Sequence, residues 1–179
     1  MIIWLNGSFG AGKTATTREI AKLLPAIATF DPEEVGFMLK HALGADFPGG
    51  DFQNLPTWRR LTVAALADLT DYLGKDILVP QSVLVESHWD QIRHGLRDAG
   101  VDLASFTLHV EKEELTQRIA TDTVLENAAE WRLEHRAIYR SALPWLKAKT
   151  TVIDTTSLTP TETAHRVIGM LSTHDQSHD

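Results

Sequence analysis

Gly7-Ser8-Phe9-Gly10-Ala11-Gly12-Lys13-Thr14 is the stretch on which the fold turns. It matches G-x-x-x-x-G-K-[ST] at every fixed position, and its flanks are those the motif's mechanism requires. Before it stands an apolar run, Ile2-Ile3-Trp4-Leu5, that reads as the first strand. After it, Lys13–Leu24 has a helical pattern that stops near Pro25. Glycines between strand and helix let the backbone wrap closely around phosphate oxygens, with several N–H groups turned inward. The helix beginning at Lys13 adds its positive dipole end to the same place. Gly7, Ser8, Gly10, Ala11 and Gly12 are therefore expected to cradle the phosphates of a nucleoside triphosphate. Lys13 would bridge its β- and γ-phosphates, and the Thr14 hydroxyl would ligate Mg²⁺. The expected ligand is ATP with Mg²⁺.

Outward from this loop, short apolar runs alternate with longer helical patterns, which predicts an α/β protein with a mostly parallel sheet. Strands are expected at Ala26–Phe30, Asp76–Pro80, Ser105–Val110 and Thr150–Ile153. Helices are expected at Glu33–Ala42, Thr57–Leu73, His88–Ala99 and Pro160–Leu171, with Gly44–Pro56 as a loop. Residues 111–149 break the alternation, with no strand signal and no glycine, and read as a helical lid. The polar tail 172–179 closes the chain, and 1–179 is expected to form a single domain.

Composition narrows the function. The net charge is −7, so a nucleic-acid partner is not expected. Absence of cysteine removes disulfides, thiolate metal sites and Cys nucleophiles. No run approaches the roughly 18 apolar residues of a membrane span. The first strand abuts the motif, so no cleavable leader is expected, and the protein is read as cytoplasmic with no membrane partner.

Three features bear on which nucleotide chemistry is run. Asp31 closes the second predicted strand, and in open α/β sheets ligands sit at the carboxyl ends of the strands. A carboxylate there can take the proton of an acceptor hydroxyl, while Asp31-Pro32-Glu33 is equally a helix N-cap sequence. Arg132, Arg136 and Arg140 recur every four residues along one helical face, offset from Glu126, Glu130 and Glu134. Such a like-charged row costs roughly 0.2–0.5 kcal/mol per neighbouring pair unless an anion meets it, and Arg118 could join it from the preceding helix. The third strand ends in Pro80-Gln81 where a Walker B carboxylate would stand, which counts against a motor ATPase. His88, beside Glu86, could line an acceptor pocket. Phe37 and Trp58 could be core or pocket wall.

Several blocks together resemble the tunicamycin-resistance P-loop proteins. They are Ile3-Trp4-Leu5-Asn6-Gly7 through Thr14, Asp31-Pro32-Glu33-Glu34-Val35-Gly36-Phe37, Asp51-Phe52-Gln53 with Pro56 and Trp58-Arg59, and Ile77-Leu78-Val79-Pro80. The resemblance implies a three-layer α/β/α P-loop NTPase fold like that of adenylate, shikimate and chloramphenicol kinases. Its five-stranded parallel sheet would have the order 2-3-1-4-5, with a helical lid between strands 4 and 5. It also implies that Lys13 and Thr14 are the phosphate and magnesium residues and Asp31 the candidate base. Asp51, Phe52, Gln53, Arg59 and Gln81 would fall around the acceptor. Lids of this class usually carry a second arginine soon after the first. Here Thr121-Asp122 follow Arg118, so the clamping role passes to Arg132 or Arg136.

The leading expectation is a small-molecule kinase that moves the ATP γ-phosphate to a hydroxyl, with a nucleoside antibiotic such as tunicamycin as acceptor. The alternatives are a protein that uses ATP to close around a drug without chemistry, and a nucleotide-controlled switch.

Overall fold

The structure is a computed structural model that describes residues 1–121 and 129–175, with side chains described for 1–118 and 137–172. Strand β1 (Ile2–Gly7) is central because its apolar residues serve both faces. Ile3 and Leu5 pack on one side and Ile2 and Trp4 on the other, all essentially inaccessible. A strand covered on both faces reads as a continuous apolar run rather than an alternating one. Its neighbours are β3 (Ile77–Pro80) and β4 (Leu103–His109). Outside these lie β2 (Ala28–Thr29) and β5 (Thr151–Asp154), giving a fully parallel sheet of order β2-β3-β1-β4-β5.

Helices cover both faces. α1 (Lys13–Leu23) and α7 (Pro160–Asp175) meet Ile3 and Leu5 through Ile20, Ala164, Val167 and Leu171. On the opposite face, α2 (Pro32–Leu43), α3 (Pro56–Leu73) and α4 (Glu86–Asp98) meet Ile2 and Trp4. Trp4 and Trp89 pack edge to face at 5.4 Å, and Trp58 is fully buried nearby, so it belongs to the core. Fully burying one Leu or Ile side chain contributes roughly 1.5–3 kcal/mol, so these two layers hold the strand ends in fixed relation.

The expected strand at Ala26–Phe30 is shorter than the sequence suggests. The Ile27 N–H is taken by Leu24 C=O in the turn around Pro25, and regular pairing is confined to Ala28–Thr29. The Gly44–Pro56 stretch is irregular as expected but contains 3₁₀ turns at Gly44–Asp46 and Phe52–Asn54. The second turn is capped by Asp51, whose Oδ1 accepts the Gln53 N–H at 2.8 Å.

Between β4 and β5 the chain carries α5 (Lys112–Thr121) and α6 (Ala129–Lys149). The carboxyl-terminal half of α6 is tied down. Lys149 Nζ bonds both carboxylate oxygens of Asp90 at 2.7 Å and pairs with Glu86 at 2.8 Å. Tyr139 Oη meets His109 Nδ1 at 2.9 Å. Among the described residues no helix is long and apolar enough to cross a membrane.

Candidate active site

A parallel sheet delivers all its carboxyl ends to one edge, and the loop after β1, Asp31 after β2 and the segment after β3 stand at that edge. Gly7 leaves β1 with φ 143° and lies so close to β4 that a Cβ would stand 2.6 Å from the Leu108 carbonyl oxygen. Gly12 caps α1 at φ 88°, a left-handed conformation that side chains disfavour even though space is open around it. Lys13 Nζ donates to the Ser8 carbonyl at 2.9 Å and the Gly7 carbonyl at 3.3 Å, and lies 5.5 Å from the centre of the Phe9 ring. Burial lowers its pKa to about 8, opposed by the Glu33 carboxylate. The Ser8 hydroxyl is buried with no partner among the described residues. Thr14 is exposed in the first turn of α1.

This loop is fastened to the segment after β3 by side chains that sequence reasoning passed over. Asn6 is fully buried, and its Oδ1 accepts the Gly7 N–H at 2.8 Å and the Val83 N–H at 3.0 Å. Its Nδ2 donates to the Val83 carbonyl at 2.9 Å. Ser82 Oγ donates to the Gly7 carbonyl at 2.8 Å, and the Ser82 carbonyl accepts from Gln53 Nε2 at 2.9 Å. The position of a Walker B acid thus holds neutral groups that join the phosphate loop to the 51–54 turn.

An acidic group faces Lys13 from α2. Asp31 is the N-cap, its Oδ1 accepting the Glu33 N–H at 2.9 Å. Trp58 Nε1 donates to the Pro32 carbonyl at 2.9 Å and fixes this helix start on the core. Glu33 is half-buried, and burial together with the charges of Asp31 and Asp51 raises its pKa, with Lys13 pulling the other way. Its spacing of two from Asp31 at a strand end was the available signal for it.

Beside Phe9 is a cavity of about 220 Å³ lined by Asp51, Gln53, Asn54, Ser82, Leu84, Val85, His88 and Ile138. The structure thus brings Asp51, Gln53 and His88 together in one lining. Arg59 and Gln81 are not in this lining. Arg59 is buried, donating from Nε to Gln91 Oε1 at 2.6 Å and from a terminal nitrogen to the Gln53 carbonyl, so it buttresses Gln53 from behind. Gln81 is buried beside Ser82, and its carbonyl accepts Trp4 Nε1 at 2.9 Å. Phe37 is 54% exposed on α2, neither core nor cavity wall, with its ring edge-on to Phe52 at 6.4 Å. Arg118 bonds Glu114 at 2.7 Å and the Thr155 and Thr156 carbonyls at 3.0 Å, at the carboxyl end of β5. Arg132 and Arg136 fall on α6, but their side chains lie outside the described residues. A larger groove of about 510 Å³ runs between α3 and α4 and includes Arg60, His94 and Asp98. It is away from the strand ends.

The sheet order, the loop Gly7–Thr14 and the helical segment between β4 and β5 define the P-loop kinase fold. A sugar kinase from a Janibacter species shares it, with TM-score 0.69 and 16% identity over 96% of this chain and 94% of that one. So does the shikimate kinase of Acinetobacter baumannii in complex with shikimate, with TM-score 0.61 and 18% identity over 97% and 93%. Within that class, the chain is similar to the tunicamycin resistance protein of Deinococcus radiodurans. The TM-score is 0.77 and the identity 28%, over 95% of this chain and 94% of that one. The resemblance carried by Ile3–Thr14, Asp31–Phe37 and the later blocks is thereby borne out. No protein-family model matches this chain, and no curated protein does.

Proposed function

We propose that this chain is an ATP-dependent phosphotransferase acting on a hydroxyl of a small molecule, with tunicamycin as the first acceptor to test. The observation that carries the reading is the placement of Lys13. Its ammonium lies on the Gly7 and Ser8 carbonyls with the Glu33 carboxylate of α2 close enough to perturb it. The unpartnered Ser8 hydroxyl and the glycine cradle fit a phosphate chain. Among the described residues no cluster of three or more His, Asp or Glu side chains could hold a metal ion alone. Thr14, in the first turn of α1, would be the protein's ligand to a magnesium ion that arrives with the nucleotide.

ATP supplies the phosphoryl group when bound. Lys13 stabilises charge on the phosphate oxygens, and Asp31 accepts the proton of the acceptor hydroxyl as its oxygen bonds to the γ-phosphorus. The bond from that phosphorus to the bridging oxygen breaks, leaving ADP. Arg118, Arg132 and Arg136 are the lid residues assigned to the transferring group, and Asp51 and Gln53 orient the acceptor. Arg59 supports Gln53, and Gln81 supports the segment carrying Ser82. Incubation with γ-labelled ATP and tunicamycin should move label to the drug, and Asp31→Asn should stop transfer while ATP still binds. Tight ATP-dependent capture of unmodified drug would replace catalysis with sequestration.

A further inference from the structure

Phe9 is the one bulky side chain within the phosphate loop. No other residue from Gly7 to Gly12 has a side chain larger than that of serine. A backbone that must come close to phosphate oxygens favours small residues, so the cradle itself does not require a benzyl group. Nor does the core. Phe9 is half-buried, and among the described residues it is not one of those that form the apolar layers on the two faces of the sheet. A large apolar side chain that serves neither the cradle nor the core points to a role in the site.

Two contacts define that role. Lys13 Nζ lies over the Phe9 ring, 5.5 Å from its centre, within the roughly 6 Å at which an ammonium is attracted to a ring face. The Gly7 and Ser8 carbonyls hold the same ammonium by hydrogen bonds. Its burial, which lowers the pKa to about 8 against the pull of the Glu33 carboxylate, is the mark of a charge kept from water. Phe9 also lines the cavity of about 220 Å³, together with Gln53, Ser82, Val85 and Ile138 among others. One side chain therefore covers Lys13 and walls the space next to it. A benzyl group has no hydrogen-bonding atom, so it holds the ammonium without competing with it for a phosphate oxygen.

We propose that Phe9 is a positioning residue that shuts water out between Lys13 and the cavity, so that a hydroxyl held in the cavity, and not water, receives the phosphoryl group. The inference rests on the phosphotransferase reading for the identity of the receiver, and on the placement of the ring alone for the exclusion of water. Water is the competing hydroxyl present in greatest excess, and an apolar wall at the reacting group is a general means of suppressing it. In the leak that Phe9 prevents, a water oxygen bonds the γ-phosphorus and the bond from that phosphorus to the bridging oxygen breaks. The proton of the water passes to solvent, and ADP and inorganic phosphate leave.

The test compares Phe9→Ala, which opens the space, with Phe9→Leu, which keeps it filled and apolar. With magnesium, ATP and no acceptor, release of inorganic phosphate by the full chain should rise at least about tenfold in Phe9→Ala and stay within about threefold of the native rate in Phe9→Leu. Without nucleotide, the Lys13 Cε signal followed by carbon-13 NMR should titrate near pH 8 in the native chain and in Phe9→Leu. In Phe9→Ala it should move up towards the ordinary 10.5 as water reaches the ammonium. Unchanged phosphate release in Phe9→Ala, a Lys13 titration that does not move, or a Phe9→Leu variant that leaks as fast as Phe9→Ala overturns the proposal. So does release that persists undiminished when Lys13→Met is added to Phe9→Ala, because the leak must run through this site. Transfer to tunicamycin and other hydroxyl compounds is read separately by phosphorus NMR. A leak in Phe9→Ala, with no transfer by the native chain, would remove the phosphotransferase reading and leave Phe9 as the guard of a nucleotide that is only held. Transfer by the native chain, with no faster leak in Phe9→Ala, would do the reverse.

Discussion

The phosphate loop and the cavity beside it are neighbours made by opposite means. Gly7–Thr14 is one continuous stretch whose working parts are backbone N–H groups, two constrained glycines and Lys13. The cavity is gathered from Phe9, the 51–54 turn, the 82–88 segment and Ile138, and its working parts are side chains. A backbone site tolerates little variation, because Gly7 faces the Leu108 carbonyl and Gly12 holds a left-handed turn. A side-chain site on the same scaffold can change its ligand by single substitutions. On the proposed phosphotransferase reading, the donor half would be set by the backbone of the fold, and acceptor identity by side chains such as Asp51 and His88.

The sharpest separation of the two halves comes from Asp31→Asn. Asparagine still caps α2, since its oxygen can accept the Glu33 N–H now held at 2.9 Å. Only the basic carboxylate is lost, so kcat should fall by about 10²–10⁴ with nucleotide affinity little changed. Glu33→Gln is the control, because Glu33 belongs to the same acidic group. If Glu33→Gln shows the larger fall in single-turnover transfer, the base is Glu33 and the assignment moves by two residues.

Lys13→Met attacks the other half. The ammonium that now rests on the Gly7 and Ser8 carbonyls would be missing from the phosphates, while the methionine stem still fills the space beside Phe9. Transfer should fall by roughly 10²–10³, with nucleotide affinity, measured by calorimetry, weakened alongside it. Unchanged nucleotide binding would mean that Lys13 acts elsewhere than on the phosphates.

The same contrast explains what could be read in the sequence. The phosphate loop, the buried first strand and the start of α2 at Asp31-Pro32 are local patterns, and the structure places them as expected. The sheet order came with the resemblance and could not be had from local pattern alone. Asp51, Phe52, Gln53, Arg59 and Gln81 were assigned to the acceptor as a group, yet Arg59 and Gln81 turn into the protein, because side-chain direction depends on partners such as Gln91 and Trp4. Asn6 and Ser82 were missed for that reason too. Asn6 bonds Val83 and the Ser82 hydroxyl bonds Gly7, partners more than seventy residues away in the chain.

Asn6→Ala tests whether the two halves are mechanically joined. It leaves the Gly7 N–H and both backbone groups of Val83 without the bonds they make now. Buried orphans cost roughly 1–3 kcal/mol each, and partial relaxation brings the expected loss to about 3 kcal/mol. A fall in Tm of roughly 10 °C follows for a chain of this length. Both nucleotide and acceptor KM should rise, whereas Ser82→Ala, which removes one bond to Gly7, should do the same more weakly. A change confined to acceptor KM would show that the halves are not coupled through this contact.

The smallest effect is also the most discriminating, because one ammonium gives two slopes of opposite sign. Lys13 has a pKa of about 8 in the folded chain against an ordinary value of 10.5. Phosphates favour its charged form, so nucleotide affinity should be level below about pH 8. It should then fall as pH rises through that value, by at most about tenfold per unit. Stability should move the other way. Between about pH 8 and 10.5 the unfolded chain holds the Lys13 proton that the folded chain has released, so this group makes stability rise with pH across that window. General alkaline damage would lower affinity and stability together. Affinity measured by calorimetry and Tm measured in matched buffers should diverge in the native chain and lose that divergence in Lys13→Met. If both slopes persist in that variant, the titrating group is not Lys13.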